Sequence, residues 1–351
     1  MVEVEEFKQF DVVSDFTDHY YYGPSVSIIS SNARKKIMRE WKILENNLPE
    51  SIFVRAYEGR MDLLRAVIIG AAGTPYHDGL FFFDILFPSD YPARPPQVHY
   101  HSHGLRINPN LYKSGYVCLS LLNTWHGHKN EKWNSSASTV LQVLVSIQAL
   151  VLNENPFFNE PGAIHWSSST KASSDYNETA FVLSCRTMLY LLQKPPKNFE
   201  RFLVDHFRKR GEAILTACRA YRDGFAKVGG VVHVQSGGDT ATPSFAVSKD
   251  MVKWMDDLYP VLVKAFEKNG ASPESFLLEQ EENLEAETET AEQKTSSSSR
   301  VIVDKLLVRS PEMQQRTYST TPHQVIVNKK KDGFLKGSFI SKLISKMLCL
   351  K

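Results

Sequence analysis

The chain has 351 residues, 42% hydrophobic and 23% charged, an ordinary balance for a globular protein and too long for one average domain. Lys and Arg number 41 against 39 Asp and Glu, a net charge of +2, which excludes the dominant basic field of a whole-chain nucleic-acid binder. Four cysteines (Cys118, Cys185, Cys218, Cys349) lie far apart with no CxxC pair, against a zinc-finger framework and in favour of a reducing compartment. The acidic start, Met1-Val2-Glu3-Val4-Glu5-Glu6, leads into no apolar stretch, unlike a secretory signal. No apolar run approaches the roughly 18 residues of a membrane span. The expected location is the cytoplasm or nucleus.

Residues 1–30 read as an aromatic and acidic arm, with Phe7, Phe10, Phe16 and Tyr20-Tyr21-Tyr22. Clustered aromatics bury large apolar areas, which favours an arm packed on the domain over a docking peptide. A helix is predicted over 32–46, with Ile37, Trp41 and Leu44 on one face and Asn32 as its cap. Strand patterns follow at 52–58, 64–71, 80–87 and 98–101, with turn signals at Gly59 and at 73–79. Their connections are too short for parallel crossovers, so they form a four-stranded antiparallel meander. The Pro-rich stretch from Pro88 to Pro96 is a loop. Val140 to Leu152 is apolar nearly all round, the mark of a buried helix lying across the sheet. Helices at about 176–193 and 198–226 are split by Lys194-Pro195-Pro196. The order gives an α+β class, with a main domain at 31–193 and a helical extension at 194–228. Residues 229–273 read as a linker and a helix at 246–268. Eight Glu against one Lys over 274–299, ending in four Ser, mark 274–300 as an acidic disordered linker. The tail, 301–351, reverses the sign, with ten Lys or Arg against three acids.

The densest chemical signal is Asn108-Pro109-Asn110, seven residues, then Cys118 in Tyr116-Val117-Cys118-Leu119. A thiol carrying an acyl group as a thioester needs a donor for the oxyanion formed when its carbonyl is attacked, and the Asn110 amide on a Pro-stiffened turn can supply one. Gly115 and Pro109 mark a loop, where the thiol is expected to be accessible and, at an unperturbed pKa of about 8.5, suited to reversible transthiolation. A buried, inert Cys118 is the alternative, and it is the better reading for Cys185 and Cys218, which lie on apolar helix faces.

Upstream stands Phe87-Pro88-Ser89-Asp90-Tyr91-Pro92-Ala93-Arg94-Pro95-Pro96-Gln97-Val98, and downstream Trp133 before the apolar helix. In that order and spacing, these motifs resemble the catalytic domain of ubiquitin-conjugating enzymes. The segments Tyr57 to Arg65, Gly104 to Asn110 and Asn159-Glu160-Pro161-Gly162 are similar to the large, extended subgroup that includes plant members linked to phosphate homeostasis. The resemblance covers roughly residues 5–225 and implies that Cys118 receives ubiquitin from an activating enzyme as a thioester and passes it to lysine. It implies Asn110 as oxyanion donor and Glu160 as the carboxylate that orients the amine, with Asn159 and Glu154 as fallbacks. It also assigns the basic helix face, Arg34, Lys35, Lys36 and Arg39, to the activating enzyme, and Phe87 to ligase docking. ATP is spent upstream; the sequence has no Gly-rich phosphate loop, so no bound cofactor is expected. Implied partners are ubiquitin, the activating enzyme, a ubiquitin ligase and protein substrates, and no nucleic acid. A non-catalytic ubiquitin-handling scaffold, or an enzyme for another ubiquitin-like modifier, are the rival readings.

Three departures from the family pattern stand out. Asn108 replaces the usual His, the segment 123–132 is long enough to wall the site, and Asn134-Ser135-Ser136 stands where many members carry Ser-Pro-Ala. His99, His101, His103, His126 and His128 lack a matched Cys or acidic cluster, so no metal is expected. In the tail, Phe339, Ile340, Leu343, Ile344 and Met347 share one helical face, with Cys349 just beyond. That pattern suits peripheral contact with an internal membrane, or equally packing on a protein surface.

Overall fold

Alternation along the central strands decides the layers of this protein, seen here in a computed structural model that describes residues 6–23, 30–125, 128, 130–160, 170–230 and 243–271. In the strand Leu80–Leu86, Phe81, Phe83 and Ile85 join one apolar core, while Leu80 and Phe82 join a second. Side chains alternate across a sheet, so the sheet is buried on both faces.

Five strands make that sheet, in the order β1 (Phe10–Val13), β2 (Ile52–Tyr57), β3 (Leu63–Ile69), β4 (Leu80–Leu86) and β5 (Gln97–Tyr100). Strands β2 to β5 form the expected antiparallel meander. The fifth strand, β1, corrects the expectation of four. It pairs parallel to β2, Phe10 opposite Val54 through Val13 opposite Tyr57. The helix α1 (Ser31–Asn47) lies in the connection, which makes a parallel pair possible. The start of α1 is capped by the Ser30 hydroxyl, which accepts from Ala33 N at 3.1 Å, rather than by Asn32.

The arm is bolted to the sheet by buried charge. Arg65 donates to both Asp84 oxygens at 2.6 and 2.9 Å and to Asp18 Oδ1 at 2.7 Å, and Tyr20 N donates to Asp84 at 2.7 Å. Phe7 tucks between Phe53, Phe199 and Phe202, with ring centroids 5.0–6.0 Å apart.

On the first face, α2 (Val140–Ser146) runs into a π-helical turn, Ile147–Val151. Thr139 and Gln142 form a reciprocal capping box at its start. The buried Glu40 of α1 accepts from Val140 N at 3.0 Å and from the Tyr91 hydroxyl at 2.8 Å, joining α1, the Pro-rich loop and α2. Trp133 Nε1 closes the same corner on Pro92 O at 2.8 Å.

The second face carries α3 (Thr170–Gln193), α4 (Glu200–Arg222) and α5 (Lys249–Lys268). Phe181 and Met188, Leu203 and Phe207, and Met255 and Leu258 share one core with Phe82. The divisions drawn at 193/194 and 228/229 therefore separate no cores among the described residues. Cys185 and Cys218 are fully buried there, 3.9 Å apart. No helix among the described residues is long and apolar enough to cross a membrane. The acidic linker and the basic tail, with its amphipathic pattern and Cys349, lie outside the described residues.

Candidate active site

After β5 the chain makes a tight hairpin. Leu111 pairs antiparallel with Val117, flanked by Tyr112 N donating to Tyr116 O at 3.0 Å and Cys118 N donating to Asn110 O at 2.9 Å. Leu111 and Val117 are buried in the first core, so alternation turns Asn110, Tyr112, Tyr116 and Cys118 to the other face. Gly115 at the tip has φ +83°, a conformation that glycine adopts at least cost.

Asn108 anchors the hairpin from below. Its Nδ2 donates to the Tyr76 hydroxyl at 2.9 Å and to Val151 O at 2.7 Å, and its Oδ1 accepts from Asn110 N at 2.8 Å. Val151 ends the π-helical turn, so one of the carbonyls that a helix end leaves unpaired is used to fix the site. Thr124, from the long segment after Cys118, folds back and brackets Cys118: its hydroxyl donates to Val117 O at 2.7 Å and accepts from Leu119 N at 2.9 Å. His126, Gly127 and Lys129 of that segment lie outside the described residues.

Two expectations need correction here. Cys118 is only 4% exposed, so it is not the open loop thiol read from its neighbours. Burial pushes its pKa up, while neighbouring Tyr112 and the charge of Arg106 draw it back. The Asn110 amide, expected as a free donor, is engaged: Nδ2 donates to Cys118 O at 2.9 Å. That bond uses one of the amide's two N–H donors and leaves the other for an oxyanion. Its buried Oδ1 has no partner among the described residues.

Glu160 follows the short 3-10 turn Pro156–Asn159, with its side chain 54% exposed and 3.6 Å from Arg106 Nη2. Its charge reaches the Cys118 thiol and opposes ionisation. Of the fallbacks, Asn159 is tied up, donating to Val151 O at 3.1 Å and accepting from Asn153 at 2.8 Å. Glu154 is exposed, and its carbonyl accepts from Asn177.

The partner residues divide. Arg34, Lys35 and Arg39 are exposed on α1, whereas Lys36 is half-buried and 3.9 Å from Glu40. Phe87 is 2% exposed, with its ring 4.7 Å from that of Tyr91. It is core, and no partner can touch it without moving the Pro-rich loop. His99 stacks on Tyr20 at 3.4 Å and His101 pairs with Asp84 at 2.9 Å. Among the described residues no group of three or more His, Cys, Asp or Glu could hold a metal.

Residues 36–182 match the family model of the ubiquitin-conjugating enzyme. The Arabidopsis thaliana protein named "Putative ubiquitin-conjugating enzyme E2 38" is 57% identical over 235 residues, 65% of this chain and 72% of that one. The chain belongs to the ubiquitin-conjugating enzyme family. It is similar, too, to the "Probable ubiquitin-conjugating enzyme E2 25" of the same plant, 59% identical over 226 residues, 62% of this chain and 37% of that one. A more distant relative is the human "Dual E2 ubiquitin-conjugating enzyme/E3 ubiquitin-protein ligase BIRC6", 38% identical over 238 residues, 62% of this chain and 5% of that one. The chain spans 37%, 29% and 56% of the length of the first three curated relatives.

For a ubiquitin-conjugating enzyme, the sequence reading missed two residues beside the thiol, Tyr112 and Arg106. The alternation Asn110-Leu111-Tyr112 against Tyr116-Val117-Cys118 was the available signal. It is too short to distinguish from an irregular loop without knowing that Leu111 faces Val117.

Proposed function

We propose that this chain carries ubiquitin as a thioester on Cys118, received from an activating enzyme, and transfers it to a lysine amine. The observation that carries the reading is the coupling of Asn110 and Cys118 across one hairpin, backbone N–H to carbonyl and side-chain amide to carbonyl, both at 2.9 Å. A core cysteine needs no such amide beside it. In loading, the Cys118 thiolate attacks the activated carboxyl-terminal carbonyl of ubiquitin and displaces the activating enzyme's thiol. In transfer, the lysine nitrogen attacks the thioester carbonyl. The half-exposed Glu160 carboxylate stands at the rim, where it orients the ammonium group and accepts its proton. The exposed Arg34, Lys35 and Arg39 steer the activating enzyme, which is where ATP is consumed. A ligase and protein substrates complete the partner set.

The test is incubation with activating enzyme, ATP and labelled ubiquitin. A thiol-reducible adduct is expected, absent from Cys118→Ala and converted to a more stable oxyester in Cys118→Ser. A reducible adduct that persists in Cys118→Ala sinks the assignment.

A further inference from the structure

One side chain on the reactive face of the hairpin has no role in the chemistry above. Tyr112 and Cys118 are diagonal cross-strand neighbours, because Leu111 pairs with Val117 between them. Such neighbours lie within reach of an aromatic side chain, and Tyr112 is among the groups that draw the Cys118 thiol's pKa down. The ring is fixed from above by Arg106, whose guanidinium lies 4.7 Å from its centroid. The same guanidinium donates to Pro109 O at 3.3 Å and stands 3.6 Å from the Glu160 carboxylate. A planar fork is suited to this, since it can stack on a ring and bond in its own plane at once. Tyr116 packs edge-on to Tyr112 at 5.8 Å and is 48% exposed.

We propose that Tyr112 is a catalytic residue whose hydroxyl stabilises the Cys118 sulfur as it leaves, and that Arg106 is the positioning residue that aims it. The proposal rests on the reading of Cys118 as the thioester carrier. When a lysine nitrogen attacks the thioester carbonyl carbon, a C–N bond forms and the C–S bond breaks. The electron pair stays on sulfur as thiolate, and the amine proton passes to the Glu160 carboxylate or to water. In this role the Tyr112 O–H donates to the sulfur, the atom where this charge appears, and keeps its own proton throughout. Its acidity is weakened, first by burial and then by the nearby thiolate, so it stays a donor through the working pH range. The same bond favours the thiolate before loading. Burial works against that form, and Tyr112 and Arg106 are the groups beside the thiol that work for it.

The test is the rate of alkylation of Cys118 by iodoacetamide as a function of pH, read on the Cys118 peptide of the full chain by mass spectrometry, with no ubiquitin present. Tyr112→Phe is expected to move the midpoint up by about one pH unit, about a tenfold loss of thiolate well below it. Arg106→Gln should shift the midpoint the same way, and Arg106→Lys, which keeps the charge without the fork, by less. Discharge of the loaded enzyme to free lysine should slow about tenfold in Tyr112→Phe, matching that loss of thiolate. A Tyr112→Phe profile that overlays the wild type overturns the proposal. Should Tyr112→Phe fail to fold, an unshifted Arg106→Gln profile does the same. Alkylation needs no ubiquitin, so a wild-type chain that never loads counts against the function proposed above and leaves this readout intact.

Discussion

Gly115 and His99 touch so closely that a Cβ on Gly115 would stand 2.0 Å from the imidazole Cε1. The same imidazole stacks on Tyr20 of the arm at 3.4 Å, with ring planes 5° apart. The arm, β5 and the tip of the site hairpin therefore meet on one ring. Gly115→Ala adds both this clash and a left-handed residue, φ +83°, that carries a side chain. A loss of about 1–3 kcal/mol is expected in urea unfolding, together with impaired loading of Cys118. Normal stability in Gly115→Ala would show that the hairpin tip moves freely.

Asn110→Ala removes the amide that spans the hairpin to Cys118 O. Transfer to lysine should slow by about 10²- to 10³-fold, the usual loss for one oxyanion donor. Loading should be affected less. Equal defects in loading and transfer, with a lowered unfolding midpoint, would assign Asn110 to holding the loop alone.

Glu40 is a buried acceptor for two donors, Val140 N and the Tyr91 hydroxyl. Glu40→Ala leaves both unsatisfied and should cost about 2–5 kcal/mol, or about 1–3 kcal/mol per orphaned group less relaxation. Glu40→Gln keeps an acceptor and should cost less than half as much. A Glu40→Ala variant as stable as the wild type in thermal unfolding would show that the corner is held by Trp133 and packing instead.

Burial pushes His99 and His103 down to about 4 each. Unfolded, both titrate near 6.5. Between those values the unfolded chain takes up protons that the folded chain refuses, so stability falls as pH is lowered from about 6.5 to about 4. The loss is complete below the folded value. Asp84, held below the usual carboxylate range by His101 and Arg65 against its burial, adds its own loss at lower pH. The urea midpoint should drop between pH 7 and 4.5, and His103→Phe should flatten part of that slope. His103 stacks on Tyr190 at 5.1 Å, a site that suits a phenyl ring. An unchanged slope in His103→Phe would show that its ring becomes solvated on protonation.

Much of the fold is legible in the chain. The strands β2 to β5 and the helix α1 carry their own periodicity, and α2 announces its burial by being apolar all round. The strand β1 escapes notice because four residues, Phe-Asp-Val-Val, carry no pattern of their own and become a strand only beside β2. Phe87 looks like a docking residue until Tyr91 is seen to close over it.

The sequence by itself determined the spacing of Asn108, Asn110 and Cys118 and the turn that joins them, since a proline-stiffened hairpin of eleven residues is a short-range matter. Only the tertiary structure decided what that hairpin can do. Asn108 reaches Val151, 43 residues away, and Arg106 reaches Glu160. The burial of Cys118 and the placing of Glu160 beside Arg106 depend on such distant contacts. They form when separate elements pack, because burial and the local electric field belong to the assembled core and not to any stretch of chain.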